Sequence, residues 1–334
     1  MFDKKMAIFY ILDILKEHSD ENHILTQKDI IDKLKIEYNV EIERKTISST
    51  IDLLIDYGYD ILRGEGNKGY YLGERDFDET EIRFLIDAIY SSKAITGEQA
   101  LKLSKKVYKG LSKYEQKDYS YLYKSTELNR TENKAMFANI DIITEAIKNR
   151  KKITFNYNQY NSKGELERVN KEYKRKVSPY FLVNNFNKYY LISSSGKFNN
   201  HRYNRVEYMT DVEILDEDIK DYSEVETMGP NFDISKHINE HVYLFSGDTI
   251  HAKVEILPNE YGDVNTTITY VLDWFGKNAR VYEDDGKVYA NIKSNKNAFV
   301  YWALQYQENI KIISPDDVVK SFVEIITKSL ERYK

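Results

Sequence analysis

The chain has 334 residues, room for two domains or more, with 41% hydrophobic and 31% charged side chains, a globular rather than a disordered balance. Its 49 Lys and Arg against 54 Asp and Glu leave a net charge of −5, which excludes a polybasic protein and leaves local basic patches open. There is no cysteine, so disulfide scaffolds, thiol nucleophiles and cysteine-held zinc or iron–sulfur centres are excluded. No apolar run reaches the length of a membrane span.

Ile8, Ile11, Leu12 and Leu15 recur at helical spacing and predict an amphipathic helix over 5–18. Asp13, Lys16 and Glu17 interrupt it and no small-residue cleavage site follows, so no signal peptide and a cytoplasmic location are expected. Thr26-x-x-Asp29 has the form of a capping box opening a second helix, with Ile30 and Leu34 inward. A third helix is predicted from Arg44 to Tyr57, with Ile47, Ile51 and Leu54 on one side and Gly58 just past its end. Ile61-Leu62, a glycine-rich turn and Tyr70-Tyr71-Leu72 predict a hairpin. Three short helices and a hairpin within residues 1–75 spell a winged helix-turn-helix.

Residues 76–138 read as a helical linker: an Asp78-capped helix carrying Ile82, Leu85, Ile86 and Ile89, another from about Glu98 to Lys113, and a polar, tyrosine-dotted stretch over 115–134. A helix from about Asn139 to Asn149 leads into strands near Ile153–Tyr157, Glu172–Val177, Lys188–Ser193, Asn200–Arg205 and Val212–Leu215. Residues 217–240 read as an irregular connector. From 241 to 334 the predicted order is βαββαβ, a ferredoxin-like unit, with Asp285-Gly286 as its hairpin turn. The fold class expected is α+β and multidomain.

Gly64-x-Gly66-x-x-Gly69 matches the letters of a dinucleotide fingerprint, but its third glycine enters a strand rather than a helix, so the pyrophosphate would meet no helix N-terminus. A wing is the better reading, with Arg63 and Lys68 reaching phosphates. In the third helix Arg44, Lys45 and Thr46 occupy the first turn, and Lys45, Ser48 and Ser49 face outward, where a recognition helix meets DNA. Residues 1–75 hold 11 Lys and Arg against 15 Asp and Glu, so DNA binding must rest on a local patch and be steeply salt-sensitive. Residues 139–216 are the basic block, with 14 Lys and Arg against 9 Asp and Glu. Within it His201, Arg202 and Arg205 on one strand, near Tyr189 and Tyr190, suit a phosphate-bearing ligand, either a nucleotide or a short single strand. His237-x-x-x-His241 has helical spacing but no evident third ligand, so neither metal nor cofactor is expected.

The order of these blocks resembles the WYL-domain transcriptional regulators of bacteria. Tyr189-Tyr190-Leu191 stands where that family has its Trp-Tyr-Leu motif, Ile153–Tyr157 and Val177-Ser178-Pro179-Tyr180 resemble its opening strand and its Val-x-Pro signature, and His201–Val206 resembles its Phe-Arg-Leu-Asp-Arg-Ile segment. Ile312–Pro315 fits the WCX-type extension that follows the domain. The resemblance implies an Sm-like β-barrel over 139–216 that senses a nucleotide or oligonucleotide through Tyr190, Arg202 and Arg205, with His201 and Ser193 beside them. Two departures stand out, Tyr189 for tryptophan and Asn204 for aspartate, and Ser49-Thr50 replaces an Arg-Asp common in relatives. The function expected is a ligand-responsive, homodimeric regulator on a double-stranded DNA operator, not an enzyme. A nucleic-acid-acting enzyme and a protein-interaction adaptor are the alternatives.

Overall fold

The computed structural model describes residues 6–118, 130–196 and 199–334. They form two compact units, Met1–Lys134 and Ala135–Lys334.

The first unit opens with α1 (Ala7–His18), α2 (Gln27–Tyr38) and α3 (Arg44–Tyr57). The capping box at α2 is present: Thr26 Oγ1 accepts from the Asp29 N–H at 3.2 Å and Asp29 Oδ2 accepts from the Thr26 N–H at 2.8 Å. Gly58 closes α3 at φ 116°, a left-handed conformation that glycine adopts without a Cβ penalty. Ile11, Leu15, Ile30, Leu34, Ile47 and Ile51 meet in one core, which the alternation of β1 (Ile61–Arg63) and β2 (Tyr70–Leu72) joins through Ile61, Tyr70 and Leu72. Leu25 pairs with Tyr70 through two backbone hydrogen bonds of 2.9 and 2.8 Å. Gly69 lies so close to that pairing that a Cβ would stand 2.5 Å from the Leu25 carbonyl oxygen. Gly69 therefore allows a close backbone bridge between the hairpin and Leu25, and β2 rather than a helix follows the glycine run.

In the same unit, α4 (Glu79–Ser91) and α5 (Gly97–Tyr108) each carry a reciprocal cap, from Asp78 with Glu81 and from Thr96 with Gln99. The helix expected to reach Lys113 ends at Tyr108, and a short α6 (Glu115–Asp118) follows. Arg75 ties the unit together: its guanidinium donates to the Lys16 carbonyl at 2.9 Å and the Ser19 carbonyl at 2.6 Å. Most of the polar stretch expected over 115–134 lies outside the described residues.

The second unit begins with α7 (Met136–Lys148), then β3 (Lys151–Tyr160), β4 (Leu166–Arg168), β5 (Arg175–Asn185), β6 (Lys188–Ser194), β7 (His201–Arg205) and β8 (Met209–Asp218). They make an antiparallel sheet in the order β4-β3-β5-β6-β7, with β8 paired to β3. Among the described residues no β7–β8 pairing closes it, so where a barrel is expected the sheet is a curled half-barrel. The strand expected to end at Val177 runs on to Asn185. Pro179 does not stop it, because the register shifts in a bulge between Pro179 and Phe181, a place where a missing N–H is tolerated.

Residues 234–240, expected to be irregular, form α8 (Ile234–Glu240). Asp233 Oδ1 starts it by accepting from the Ser235 and Lys236 N–H groups. Then come β9 (Thr249–Ile256), α9 (Asn265–Phe275), β10 (Ala279–Asp284), β11 (Lys287–Asn295), α10 (Lys296–Gln305), β12 (Ile310–Ser314) and α11 (Asp316–Glu331), which is the expected βαββαβ order. The sheet order is β10-β11-β9-β12. Val254, Ile292, Phe299 and Trp302 are at the centre of its core.

Candidate functional site

The pairing of β6 with β7 sets Tyr190 opposite Arg205, Ser193 opposite Arg202 and Ser194 opposite His201. Side chains alternate between faces along a strand, so Arg202 and Arg205, three residues apart, point to opposite faces. The five residues expected to form one ligand site therefore divide. Ser193 and Arg202 stand on one face, and Tyr190, His201 and Arg205 on the other.

On the first face Arg175, at the start of β5, is near enough to Arg202 to feel its charge. Arg175 donates to Asn204 Oδ1 at 2.7 Å, and its guanidinium lies 3.8 Å from the centroid of the Tyr157 ring. Asn204 is fixed in turn by donating to the buried Ser193 hydroxyl at 3.0 Å. Burial pushes the Arg175 pKa down; the Tyr157 ring opposes this and the neighbouring Arg202 charge adds to it. Among the described residues no carboxylate lies within ion-pair distance of Arg175. A half-buried guanidinium held by a neutral amide and a ring, with a second arginine beside it, is an uncompensated cation in a poorly solvated place. That is the electrostatic condition for taking up an anion.

The second face is neutralised internally. Arg205 pairs with the buried Glu207 at 3.4 Å, donates to the Tyr208 hydroxyl at 2.7 Å and lies 4.3 Å from the Tyr208 ring centroid. Burial works against its charge, but the Glu207 carboxylate together with the Tyr208 and Tyr190 hydroxyls outweighs it, so its pKa is raised. Expected as an open anion ligand, Arg205 is instead the internal counter-ion of Glu207. His201 is not a cationic donor at neutral pH either. It is buried; Nδ1 meets Thr227 Oγ1 at 2.6 Å and Nε2 meets the Tyr203 hydroxyl at 2.9 Å. The Tyr203 hydroxyl also bonds His237 Nε2, and His237 stacks on His241 at 4.0 Å. Burial and the His241 charge push His201 down to about 4, and burial with His241 and His201 pushes His237 to about 3. These imidazoles are neutral near pH 7. A cleft of about 580 Å³, lined by His201, Thr227, Lys236 and His241 among others, opens beside them.

The residues expected to touch DNA lie on the first unit. Arg44, Lys45, Thr46 and Ser49 are exposed at the start of α3, and Arg63 and Lys68 are exposed on the hairpin. None of Arg44, Lys45, Arg63 and Lys68 has an ion-pair partner among the described residues, whereas Lys33 and Lys35 pair with Glu37 and Glu41. Ser48 is already engaged: its hydroxyl accepts from Gln27 Nε2 at 2.6 Å and so holds α2 against α3. The histidine–carboxylate group with the closest ligand geometry among the described residues is Glu17, His18 and Glu37. Lys33 Nζ, 3.1 Å from His18 Nδ1, already supplies positive charge there.

Among the described residues no helix is long and apolar enough to cross a membrane. No protein of curated function matches the chain. Among solved structures it is similar to the proteasome accessory factor B/C (PafBC) of Arthrobacter aurescens, at 14% identity and a TM-score of 0.28, over 98% of this chain and 49% of that one. It is also similar to a crystal structure described as a CRISPR Cas-related protein, at 20% identity and a TM-score of 0.36, over 98% of this chain and 85% of that one. The chain spans about half the length of the PafBC chain. Residues 138–214, which run from α7 through the curled sheet into β8, match the WYL domain, and the chain therefore contains a WYL domain.

Proposed function

We propose that this protein is a ligand-responsive, DNA-binding transcription regulator whose effector is an anion held by Arg175 and Arg202 on the WYL sheet. The observation that carries the reading is the Arg175 guanidinium: half-buried, aimed by Asn204, stacked on Tyr157 and paired with no carboxylate among the described residues. Two forked cations beside a tyrosine ring suit a phosphate joined to a base, that is, a nucleotide or the end of a short single strand.

In this reading residues 1–75 are a winged helix, residues 139–216 an Sm-like sensor and residues 241–334 a ferredoxin-like extension. The reading head is the start of α3 with the hairpin turn, where Arg44, Lys45, Arg63 and Lys68 supply positive charge to phosphates of an operator. A cytoplasmic homodimer would place two such heads on half-sites about one helical turn apart, or a multiple of it. Effector binding changes operator affinity only through its differential affinity for the arrangements competent and incompetent to bind DNA.

The test is calorimetric titration of mono- and dinucleotides into the wild-type chain and Arg175→Ala, with operator binding followed in parallel. Loss of anion binding in Arg175→Ala, with basal operator binding retained, supports the reading. Unchanged anion affinity in that variant overturns it.

A further inference from the structure

The C-terminal sheet has two unlike faces. Ala252, Val254, Ile256, Ala290 and Ile292 point into the core. Alternation turns the intervening residues of β9, β10 and β11 to the other side, away from that core. There Tyr282 and Tyr289, directly paired across β10 and β11, stack at 5.7 Å with an interplanar angle of 28°. Lys253 on β9 places Nζ 4.2 Å from the Tyr289 ring centroid and 5.6 Å from that of Tyr282. Arg280 and Lys311 are exposed on the outer strands of the same face. The register sets exposed Asn291 opposite Arg280 on one side and Lys253 on the other.

The charge on this face runs against that of the chain. Lys287 is paired with Glu255 at 2.9 Å and Lys293 with Glu240 at 2.6 Å. Arg280, Lys253 and Lys311 have no ion-pair partner among the described residues, and on their own face they meet only Asp284 as a further carboxylate. The result is a net-cationic, tyrosine-bearing surface on a protein of net charge −5. Four-stranded sheets of RNA-recognition modules stack two or three unpaired bases on aromatic side chains of such a face, while cations track the backbone. A duplex keeps its bases stacked inside and cannot use the rings.

We infer that this open sheet face binds single-stranded RNA, with bases stacked on Tyr282 and Tyr289 and phosphates against Arg280, Lys253 and Lys311. Asn291, between two of those cations, supplies both a donor and an acceptor to a ribose 2′-hydroxyl, which is what favours RNA over DNA. This site is separate from the Arg175–Arg202 anion site, and neither depends on the other.

The experiment is fluorescence anisotropy of a labelled oligouridylate of about eight nucleotides, titrated with the full chain over a range of salt concentrations. Three phosphate contacts on a single strand predict a log–log salt slope of about −2. Tyr289→Ala weakens binding about tenfold or more, Tyr289→Phe retains it, Lys311→Glu weakens it and lowers the slope, and Asp284→Lys tightens it. The matching deoxyuridylate binds several-fold more weakly. A thermal melt confirms that each variant folds, and Lys311→Glu, at an exposed position, serves as the test should Tyr289→Ala unfold. Absence of binding, affinity indifferent to both Tyr289→Ala and Lys311→Glu, or equal affinity for the deoxy strand would each overturn the inference.

Discussion

The two faces of the β6–β7 ribbon carry the same residue types and opposite electrostatics. On one, Arg205 has a buried carboxylate at 3.4 Å and its charge is spent within the protein. On the other, Arg175 has Asn204 at 2.7 Å, an amide that orients a guanidinium without neutralising it. A count of cations in the sequence cannot separate these cases, because available charge depends on which face an arginine takes and what shares it. Because residue 204 is an asparagine, its amide leaves Arg175 aimed and uncompensated.

The largest expected effect breaks the closed face. Arg205→Ala strips the buried Glu207 of its arginine and should cost about 3 kcal/mol of stability, read as a fall in the denaturation midpoint. Anion affinity should stay close to wild type, because Arg205 faces away from Arg202. A wild-type midpoint would show that the pair carries no such strain.

The histidines of the closed face give the next effect. His201 and His237 titrate near 4 and 3 in the folded protein, below the 6.5 of an exposed imidazole. The unfolded chain therefore binds more protons between these values, and the stability they contribute is full above pH 6.5 and lost as pH falls. Two such groups predict a slope of about 2.7 kcal/mol per pH unit near pH 5, with stability rising toward neutrality. Denaturation at several pH values measures it. His237→Asn should remove about half of that contribution, and an unchanged slope would mean that His237 is already protonated in the fold.

Asn204→Asp sharpens the comparison from the open side. A carboxylate at that position would neutralise Arg175 while keeping its hydrogen bond, so anion affinity should drop about tenfold with little change in stability. The smallest effect is at the reading head. Lys45→Ala or Lys68→Ala should each flatten the log–log salt dependence of operator binding by about one unit, uniformly across sequences. Variants that alter base preference without altering salt dependence would place these lysines on base edges instead.

Much of the local structure was legible. The caps at Thr26 and Asp78, Gly58 past α3 and the Asp285-Gly286 turn are short-range signals, and short-range chemistry decides them. The site was legible only in part. Arg202 and Ser193 lie within one motif-bearing stretch, and the strand register sets them on the face of Arg175. Arg175 was not among the expected residues, because Asn204, which aims it, lies 29 residues away and only strand pairing brings them together. One signal was available: Arg202 and Arg205 are three positions apart within one strand, and that odd spacing already assigns them to opposite faces. The strand expected over Glu172–Val177 was cut short, since β5 passes Pro179 in a bulge and runs on to Asn185.

The most direct measurement is nucleotide binding to Arg175→Ala by calorimetry, set beside Arg205→Ala. Arg175→Ala should lose affinity by about a hundredfold or more, the equivalent of a charge-assisted pair of hydrogen bonds, while Arg205→Ala should bind as wild type does. Equal affinity in Arg175→Ala and wild type, or a loss confined to Arg205→Ala, would contradict that expectation.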